Sequence, residues 1–212
     1  MPKDSSLHPA LQKVRFERTL CIIKPDGVQR GLIGEIIHRF EKAGLKIVAI
    51  KMLVPTKKQA EAHYSVSDEA LLLRIGNNTI SGFDSVEGLT VEEAFGTNDP
   101  RELGKGLVEA LVKFLCSGPV VCMVLEGVQA VAMTRKLIGN TMPVNATVGT
   151  IRGDFSIDSS IIANVQGRAI HNLLHASGNA AEAEHEIKLW FGGDAIHDYR
   201  LSHEATMFTS FY

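Results

Sequence analysis

The chain of 212 residues has few of the features that mark disulfide-rich, metal-bound or nucleic-acid-binding proteins. Its three cysteines, Cys21, Cys116 and Cys122, form no C-x-x-C pair, and this odd, dispersed set predicts neither a disulfide framework nor a zinc site. The formal net charge is −2, so bulk electrostatics gives no reason to expect nucleic acid as the main partner. Reduced thiols fit a cytoplasmic location.

Long hydrophobic runs are also missing. No stretch approaches the roughly 20 apolar residues that cross a bilayer, and residues 1–18, MPKDSSLHPALQKVRFER, lack the apolar core of a secretory signal peptide. We therefore expect no membrane association. Residues 1–15 are interpreted as a polar N-terminal arm and residues 16–212 as one domain, whose 45% content of hydrophobic residues can supply a full core.

Apolar runs and turn residues alternate along the chain and predict an alternating order of strands and helices. The predicted strands are 19–24, 45–54, 120–127 and 172–175, and the predicted helices are 32–43, 56–64, 100–116, 128–139 and 179–191. Residues 140–155 are predicted as a long functional loop. Short strands with helical crossovers favour a sheet covered on one face, a ferredoxin-like α/β sandwich or a doubly wound sheet.

The common catalytic motifs are absent from the sequence. It contains no G-x-x-x-x-G-K-[ST] loop, no G-x-G-x-x-G fingerprint, no H-E-x-x-H pair and no G-x-S-x-G elbow. A P-loop, a dinucleotide-binding turn, a zinc-protease helix and a serine-hydrolase elbow are therefore excluded in their usual forms.

A dispersed set of polar residues at the ends of predicted elements remains as the source of chemistry. Lys24 ends the first strand before a Pro-Asp-Gly turn, and Arg135 lies late in a helix. Thr141 and Arg152 lie in the long loop, and His175 ends the last strand. Three cations and a hydroxyl suit phosphate groups, because they neutralise charge and donate hydrogen bonds. A neutral, accessible histidine can accept a phosphoryl group and pass it on.

Each of these residues also has an ordinary structural interpretation. A lysine or arginine at the end of an element is usually a solvated charge, and a histidine after an apolar run is usually a satisfied structural residue. Residue spacing alone does not decide between these interpretations and a phosphate site.

Five segments together resemble one family. They are ERTLCIIKPDGVQRGLIGEIIHRF (17–40), SGPVVCMVLEG (117–127), TRKLIGNTMP (134–143), GTIRGDF (149–155) and NLLHAS…AEHEIKLWF (172–191). In this order they are similar to nucleoside diphosphate kinases, and the resemblance covers most of residues 16–199. It implies an α/β (α+β) fold, a ferredoxin-like α/β sandwich with a four-stranded antiparallel sheet.

The resemblance also implies a reaction. Members of the family transfer the γ-phosphate of a nucleoside triphosphate, typically ATP, to a nucleoside diphosphate by a ping-pong mechanism through a phosphohistidine, with Mg²⁺. By motif match His175 is the nucleophile, and Lys24, Arg135, Thr141 and Arg152 bind phosphates. Mg²⁺ carried by the nucleotide's own phosphates requires no acidic cage in the protein.

Further roles follow from the same resemblance. Asn172 is expected to contact the sugar hydroxyls and Tyr64 to position the imidazole, with Ser177 and Glu186 as its polar support. The aromatic residue that usually stacks on the base is replaced here by Leu107. Because stacking contributes on the order of 1–3 kcal/mol per base, weaker or altered base binding is expected.

The chain departs from the family pattern in its length. Insertions of roughly 35 and roughly ten residues are expected near 66–104 and 157–170, and Gly178 replaces the family's acidic residue three positions after the histidine. Family members form hexamers, or tetramers built from dimers, so a homo-oligomer is expected, and either insertion could alter its assembly.

An active kinase is the leading hypothesis, because the nucleophile and the whole phosphate-binding set are present. The alternative is a non-catalytic nucleotide-binding or interaction module of the same fold, in which the insertions block or reshape the site. A nucleic-acid-binding or regulatory role is a third interpretation, to which the net charge of −2 gives little support.

Overall fold

The computed structural model describes residues 8–83, 86–194 and 196–208. At its centre four strands form one sheet in the order β2-β3-β1-β4. The strands are β1 (Glu17–Ile23), β2 (Lys46–Leu53), β3 (Val120–Gly127) and β4 (Leu174–Ala176). Every neighbouring pair is antiparallel, which confirms the four-stranded antiparallel sheet and excludes the doubly wound alternative with its parallel strands.

Helices cover both faces of this sheet, so the alternative of a sheet covered on one face is wrong. The central strands β1 and β3 read as continuous apolar runs because both of their faces are buried. Alternate residues belong to two separate apolar clusters. Ile23 and Met123 lie in the cluster that includes Phe40, whereas Ile22 and Val124 lie in the other.

The helices begin where the sequence places good caps. Thr56 and Gln59 form a capping box, Asp99 accepts from the backbone of Arg101, and Asn179 accepts from the backbone of Glu182. The helices are α1 (Pro9–Arg15), α2 (Pro25–Gln29), α3 (Ile33–Lys42), α4 (Lys57–His63), α5 (Glu69–Phe83), α6 (Val91–Phe95), α7 (Pro100–Leu115), α8 (Ala130–Ile138), α9 (Ile151–Phe155), α10 (Ser160–Val165), α11 (Ala180–Phe191) and α12 (Glu204–Phe208).

Two predicted irregular segments are partly helical. The Pro25-Asp26-Gly27 turn is the start of α2, because proline at the first helical position already has a helical φ angle. Residues 140–155 are not one loop. They contain a short 3-10 turn at Pro143–Asn145 and then α9, whose N-cap Thr150 accepts from the backbone of Gly153. Arg152, predicted in a loop, therefore lies on a helix.

The described residues of the segment 66–104 contain α5, α6 and the start of α7. Helices α5 and α7 cross backbone to backbone: a Cβ on Gly76 would lie 1.8 Å from the carbonyl oxygen of Pro100, and one on Gly104 would lie 2.0 Å from that of Leu72. The segment 157–170 contains α10 and is held by an Asp158–Arg168 ion pair. That these segments are insertions stays a prediction, and residues 1–7 of the predicted arm lie outside the described residues.

Within the described ranges, none of the helices has the length and hydrophobicity required to span a membrane.

Candidate active site

The candidate site forms where β1 and β4 pair. The antiparallel register places Ile22 opposite His175 and Ile23 opposite Leu174. The backbone N–H of Lys24 then donates to the carbonyl oxygen of Leu173 at 2.8 Å. Two segments about 150 residues apart are thereby joined. We call the group Lys24, Arg152, Asn172, His175 and Glu186 the histidine corner.

The imidazole of His175 is held by a carboxylate. Its Nε2 lies 2.8 Å from Oε1 of Glu186, and the other carboxylate oxygen accepts from the hydroxyl of Ser177 at 2.6 Å. Because a carboxylate can only accept, Nε2 carries the proton and the lone pair is on Nδ1. Among the described residues Nδ1 makes no hydrogen bond, and 22% of the side chain is exposed. This is the arrangement of an oriented, accessible nucleophile.

A second histidine, which sequence reasoning missed, lies against the first. The rings of His63 and His175 meet edge to face, with 4.3 Å between centroids. Burial, followed by the repulsion that would arise if both imidazoles were protonated, lowers the pKa of His63 to about 2, so this imidazole stays neutral. The indole Nε1 of Trp190 donates to His63 Nδ1 at 3.4 Å. No spacing in the sequence predicts the contact between His63 on α4 and His175 on β4, because it depends on how α4 packs.

Tyr64 packs on this second histidine. The ring centroids of Tyr64 and His63 are 4.9 Å apart, and burial raises the pKa of Tyr64. In the part of the chain that the structure describes, its hydroxyl is buried without a hydrogen-bond partner. Tyr64 therefore contacts the ring of His63, and its expected role in positioning the imidazole of His175 stays a prediction.

Lys24 and Asn172 form a buried polar pair. The Nζ of Lys24 donates to Oδ1 of Asn172 at 2.8 Å, and the amide nitrogen of Asn172 donates to the carbonyl oxygen of Thr141 at 2.8 Å. Only 5% of Lys24 is exposed. Burial, followed by repulsion from Arg152, lowers the pKa of Lys24 to about 8. A phosphate that reached Lys24 would restore its preference for the charged form.

Arg152 holds the backbone around His175. It donates to the carbonyl oxygens of Gly139, Asn172 and Leu174 at 3.0, 2.9 and 2.6 Å. Burial, and then repulsion from Arg135, lowers its pKa to about 10. These bonds use three of the five guanidinium N–H donors, and the other two make no hydrogen bond to a described residue.

The residue between Asn172 and Leu174 is strained. Leu173 has φ = 69°, a left-handed conformation that costs of order 1–3 kcal/mol for a non-glycine residue. Its backbone N–H donates to Oδ2 of Asp26 at 3.0 Å, so Asp26 from the Pro-Asp-Gly segment and Arg152 together clamp this bend. The role of Asp26 was also missed, although it lies two residues after Lys24.

The remaining candidates surround this group less tightly. Arg135 is exposed near the end of α8, and the side chain of Thr141 is exposed two residues beyond Gly139. Leu107 is half-buried on α7, and no described hydrogen bond or ring contact connects it to the histidine corner. The structure therefore gathers Lys24, Arg152 and Asn172 around His175 and leaves Leu107 outside this set of contacts.

The only metal-competent cluster among the described residues is His63, His175 and Glu186, whose ligand atoms lie within 4.8 Å of one another. Two imidazoles and one carboxylate do not suit Mg²⁺, which takes oxygen ligands. As a whole, the site combines one oriented imidazole with buried cations, a combination suited to transfer of an anionic group.

Comparison with known proteins gives one consistent result. The family model described as nucleoside diphosphate kinase matches residues 17–87 and 99–196. A nucleoside diphosphate kinase from Pyrobaculum aerophilum is 49% identical over 180 residues, which are 85% of this chain and 97% of that protein. One from Borreliella burgdorferi is 38% identical over 189 residues, which are 89% of this chain and 95% of that protein.

Solved structures agree in fold. The crystal structure of an NDP kinase from Pyrobaculum aerophilum has a TM-score of 0.82 and 45% identity, covering 86% of this chain and all of that one. A transition-state mimic of the nucleoside diphosphate kinase from Borrelia burgdorferi, with bound vanadate and ADP, has a TM-score of 0.71 and 38% identity, covering 90% of this chain and 96% of that one. With its antiparallel sheet and its oriented histidine, the chain belongs to the nucleoside diphosphate kinase family.

Proposed function

We propose that this protein transfers the γ-phosphate of a nucleoside triphosphate, typically ATP, to a nucleoside diphosphate by a ping-pong mechanism through phospho-His175. The observation that carries the proposal is the hydrogen bond from His175 Nε2 to Glu186, which leaves the Nδ1 lone pair available. Such a fixed tautomer is what nucleophilic catalysis by histidine requires.

In the first half-reaction Nδ1 of His175 attacks the γ-phosphorus, and the bond from that phosphorus to the β–γ bridging oxygen breaks. The nucleoside diphosphate leaves with the bonding electrons, and the phosphoryl group stays on Nδ1. Glu186 accepts the Nε2 proton in a hydrogen bond throughout, so its negative charge stabilises the positive charge that develops on the ring. In the second half-reaction a terminal phosphate oxygen of the acceptor attacks the same phosphorus, and Nδ1 leaves.

The cations lower the barrier by holding the phosphates in line with Nδ1. Lys24 and Arg152 are already fixed by buried hydrogen bonds, so little reorganisation is needed when a phosphate arrives. Exposed Arg135 and the hydroxyl of Thr141 would complete the binding of the outer phosphates. Asn172 holds Lys24 in place and, with it, would contact the sugar hydroxyls.

Mg²⁺ would enter with the nucleotide. The described residues offer no cluster of oxygen ligands for it, since their one metal-competent cluster contains two imidazole nitrogens. The ion would supply charge neutralisation on the phosphate oxygens.

A labelling experiment tests the proposal. The protein is incubated with γ-labelled ATP and then given an unlabelled nucleoside diphosphate. We expect an acid-labile label on the protein that moves to the acceptor, and none in His175→Ala. The matched control is His185→Ala, which removes an exposed histidine from α11 and should label normally. Nucleotide binding without any labelling would instead favour the non-catalytic module.

A homo-oligomer, a hexamer or a tetramer built from dimers, is part of this proposal. Strand β2 lies at one edge of the sheet, and Ile50, Met52 and Val54 on or just beyond it are 51%, 56% and 59% exposed. An apolar edge of this kind is a surface for association. Light scattering should give a mass that is a multiple of the 23.1 kDa chain, and Met52→Lys should reduce it. Three free thiols support the cytoplasmic location.

A further inference from the structure

His63, His175 and Glu186 form a compact group of metal-ligand atoms behind the nucleophile. Glu186 Oε1 lies 2.8 Å from His175 Nε2 and 3.6 Å from His63 Nδ1. All three ligand atoms lie within 4.8 Å of one another. The proposed phosphoryl transfer uses His175 and Glu186 but gives His63 no direct task.

The Nδ1 atom of His63 lies beside this group, 3.6 Å from Oε1 of Glu186. Trp190 donates its indole N–H to His63 Nδ1, so Nδ1 is the unprotonated nitrogen and Nε2 carries the proton. At 3.4 Å this hydrogen bond is long and easily given up. In the described structure, Nε2 of His63 is buried without a hydrogen-bond partner. A phenyl ring would avoid that penalty, so packing alone does not account for an imidazole here.

We propose that the His63–His175–Glu186 cluster binds a divalent transition-metal ion of the Zn²⁺ class, and that its occupation stops phosphoryl transfer. Two imidazoles and a carboxylate form the ligand set of many three-ligand zinc sites, in which a fourth position stays open. Mg²⁺ prefers oxygen and octahedral geometry, so the ion that accompanies the nucleotide does not compete for this cluster. The inhibitory part rests on the proposed function, whereas the binding part does not.

The geometry requires that three ligand atoms, which now lie within 4.8 Å of one another, move to the separations of a zinc site. Ligand atoms bound tetrahedrally at about 2.1 Å from zinc lie about 3.4 Å apart. Glu186 Oε1 and His63 Nδ1 are already 3.6 Å apart, and Glu186 Oε1 and His175 Nε2 must separate from 2.8 Å. The metal binds the lone pair of Nε2, so the ring proton moves from Nε2 to Nδ1, where it blocks the lone pair that would attack phosphorus. The ring then loses its orienting hydrogen bond, and its electron density is drawn towards the metal and away from Nδ1.

The single tryptophan of the chain provides a direct readout. Trp190 is buried, and its ring centroid is 5.6 Å from that of His63. Co²⁺ is paramagnetic and should quench the fluorescence of Trp190 with a stoichiometry of one ion per chain, and Zn²⁺ should compete it off. With MgATP in excess, phosphoenzyme formation should fall in proportion to the fraction of sites that hold metal.

Variants separate this cluster from adventitious surface binding. His63→Phe keeps a ring of similar size and should weaken Co²⁺ binding by more than about tenfold, since even the loss of an outer contact weakens metal sites by 10- to 100-fold. His185→Ala removes the exposed histidine beside Glu186 and should bind as the wild type does. Quenching that survives in folded His63→Phe, or that disappears in His185→Ala, would overturn the assignment.

A spectroscopic test on the wild-type protein requires no variant to fold. The electron paramagnetic resonance spectrum of bound Cu²⁺ should show coupling to two imidazole nitrogens. Coupling to one nitrogen only, or no high-affinity copper at all, would contradict the proposal. If metal binds as expected but the metal-free protein forms no phosphoenzyme, the kinase proposal fails and the metal site stands. If the phosphoenzyme forms but no metal binds, the metal-site proposal fails and the kinase proposal stands.

Discussion

The histidine corner and the α5–α7 helix pair are both tightly packed, but different groups hold them together. In the histidine corner, buried side chains make hydrogen bonds to the backbone and to other side chains: Arg152 donates to three backbone carbonyl oxygens, and Glu186 accepts from two side chains. Between α5 and α7 the backbones touch because Gly76 and Gly104 carry no side chain. The histidine corner should therefore be most sensitive to the loss of a charged or hydrogen-bonding group. The α5–α7 pair should be most sensitive to an increase in side-chain volume.

The largest effect is expected from Glu186→Gln. The neutral amide keeps the shape of the side chain but no longer stabilises the positive charge that develops on the ring of His175. By analogy with the orienting carboxylate of other histidine-based sites, kcat should fall by at least about 100-fold. Steady-state kinetics and single-turnover labelling measure this loss. Glu184→Gln, an exposed change on the same helix, is the matched control, and a loss below about tenfold would contradict the role of Glu186.

The helix pair should respond to one methyl group. At Gly76 an added Cβ would lie 1.8 Å from the carbonyl oxygen of Pro100, so Gly76→Ala must push the helices apart. Overpacking of this kind costs roughly 1–3 kcal/mol in free energy of unfolding. Urea unfolding measures it, and kcat per folded molecule should remain close to that of the wild type.

Another glycine on α7 gives the control for that experiment. A Cβ on Gly106 would meet no atom within 4 Å. Gly106→Ala should therefore stabilise the protein by up to about 1 kcal/mol, because alanine is the better helix former. Equal effects at Gly76 and Gly106 would show that the close crossing of the helices does not matter for stability.

Some of this contrast could be predicted from sequence. The pairs Thr56–Gln59 and Asp99–Pro100 are local signals, and both helices begin where those signals place them. The contact between His63 and His175 is different, because it joins α4 to β4 and depends on packing that no local pattern records. The left-handed Leu173 was also hidden, since the bend is held by Asp26 and Arg152 from distant segments.

The pH dependence of stability should reveal the lowered pKa of Lys24, one of the buried cations of the histidine corner. The pKa of Lys24 falls from 10.5, its ordinary value, to about 8 in the folded protein. Between these values the unfolded chain binds more protons than the folded one, so this group makes the protein more stable as pH rises from 8 towards 10.5. Below pH 8 both states are protonated, and the full penalty of burying the charge is present.

Comparison with Lys24→Met isolates this contribution. Cys21 and Tyr64, whose pKa values burial raises, act in the opposite sense at high pH, but they are present in both proteins. Relative to Lys24→Met, the wild type should gain on the order of 2 kcal/mol between pH 8 and pH 10. Urea unfolding across that range measures the difference. Parallel curves for the two proteins would mean that Lys24 keeps an ordinary pKa when buried.

The smallest effect should come from the charged pair on the surface of the helix pair. Arg101 on α7 binds Glu69 on α5, but their side chains are 64% and 51% exposed. Solvent and salt screen such a pair, and ordering two long side chains opposes it. Arg101→Ala should therefore leave the urea midpoint unchanged within error, in low and in high salt. A large, salt-sensitive loss would mean that α5 and α7 are joined by charge as the histidine corner is, and not by the contact of their backbones.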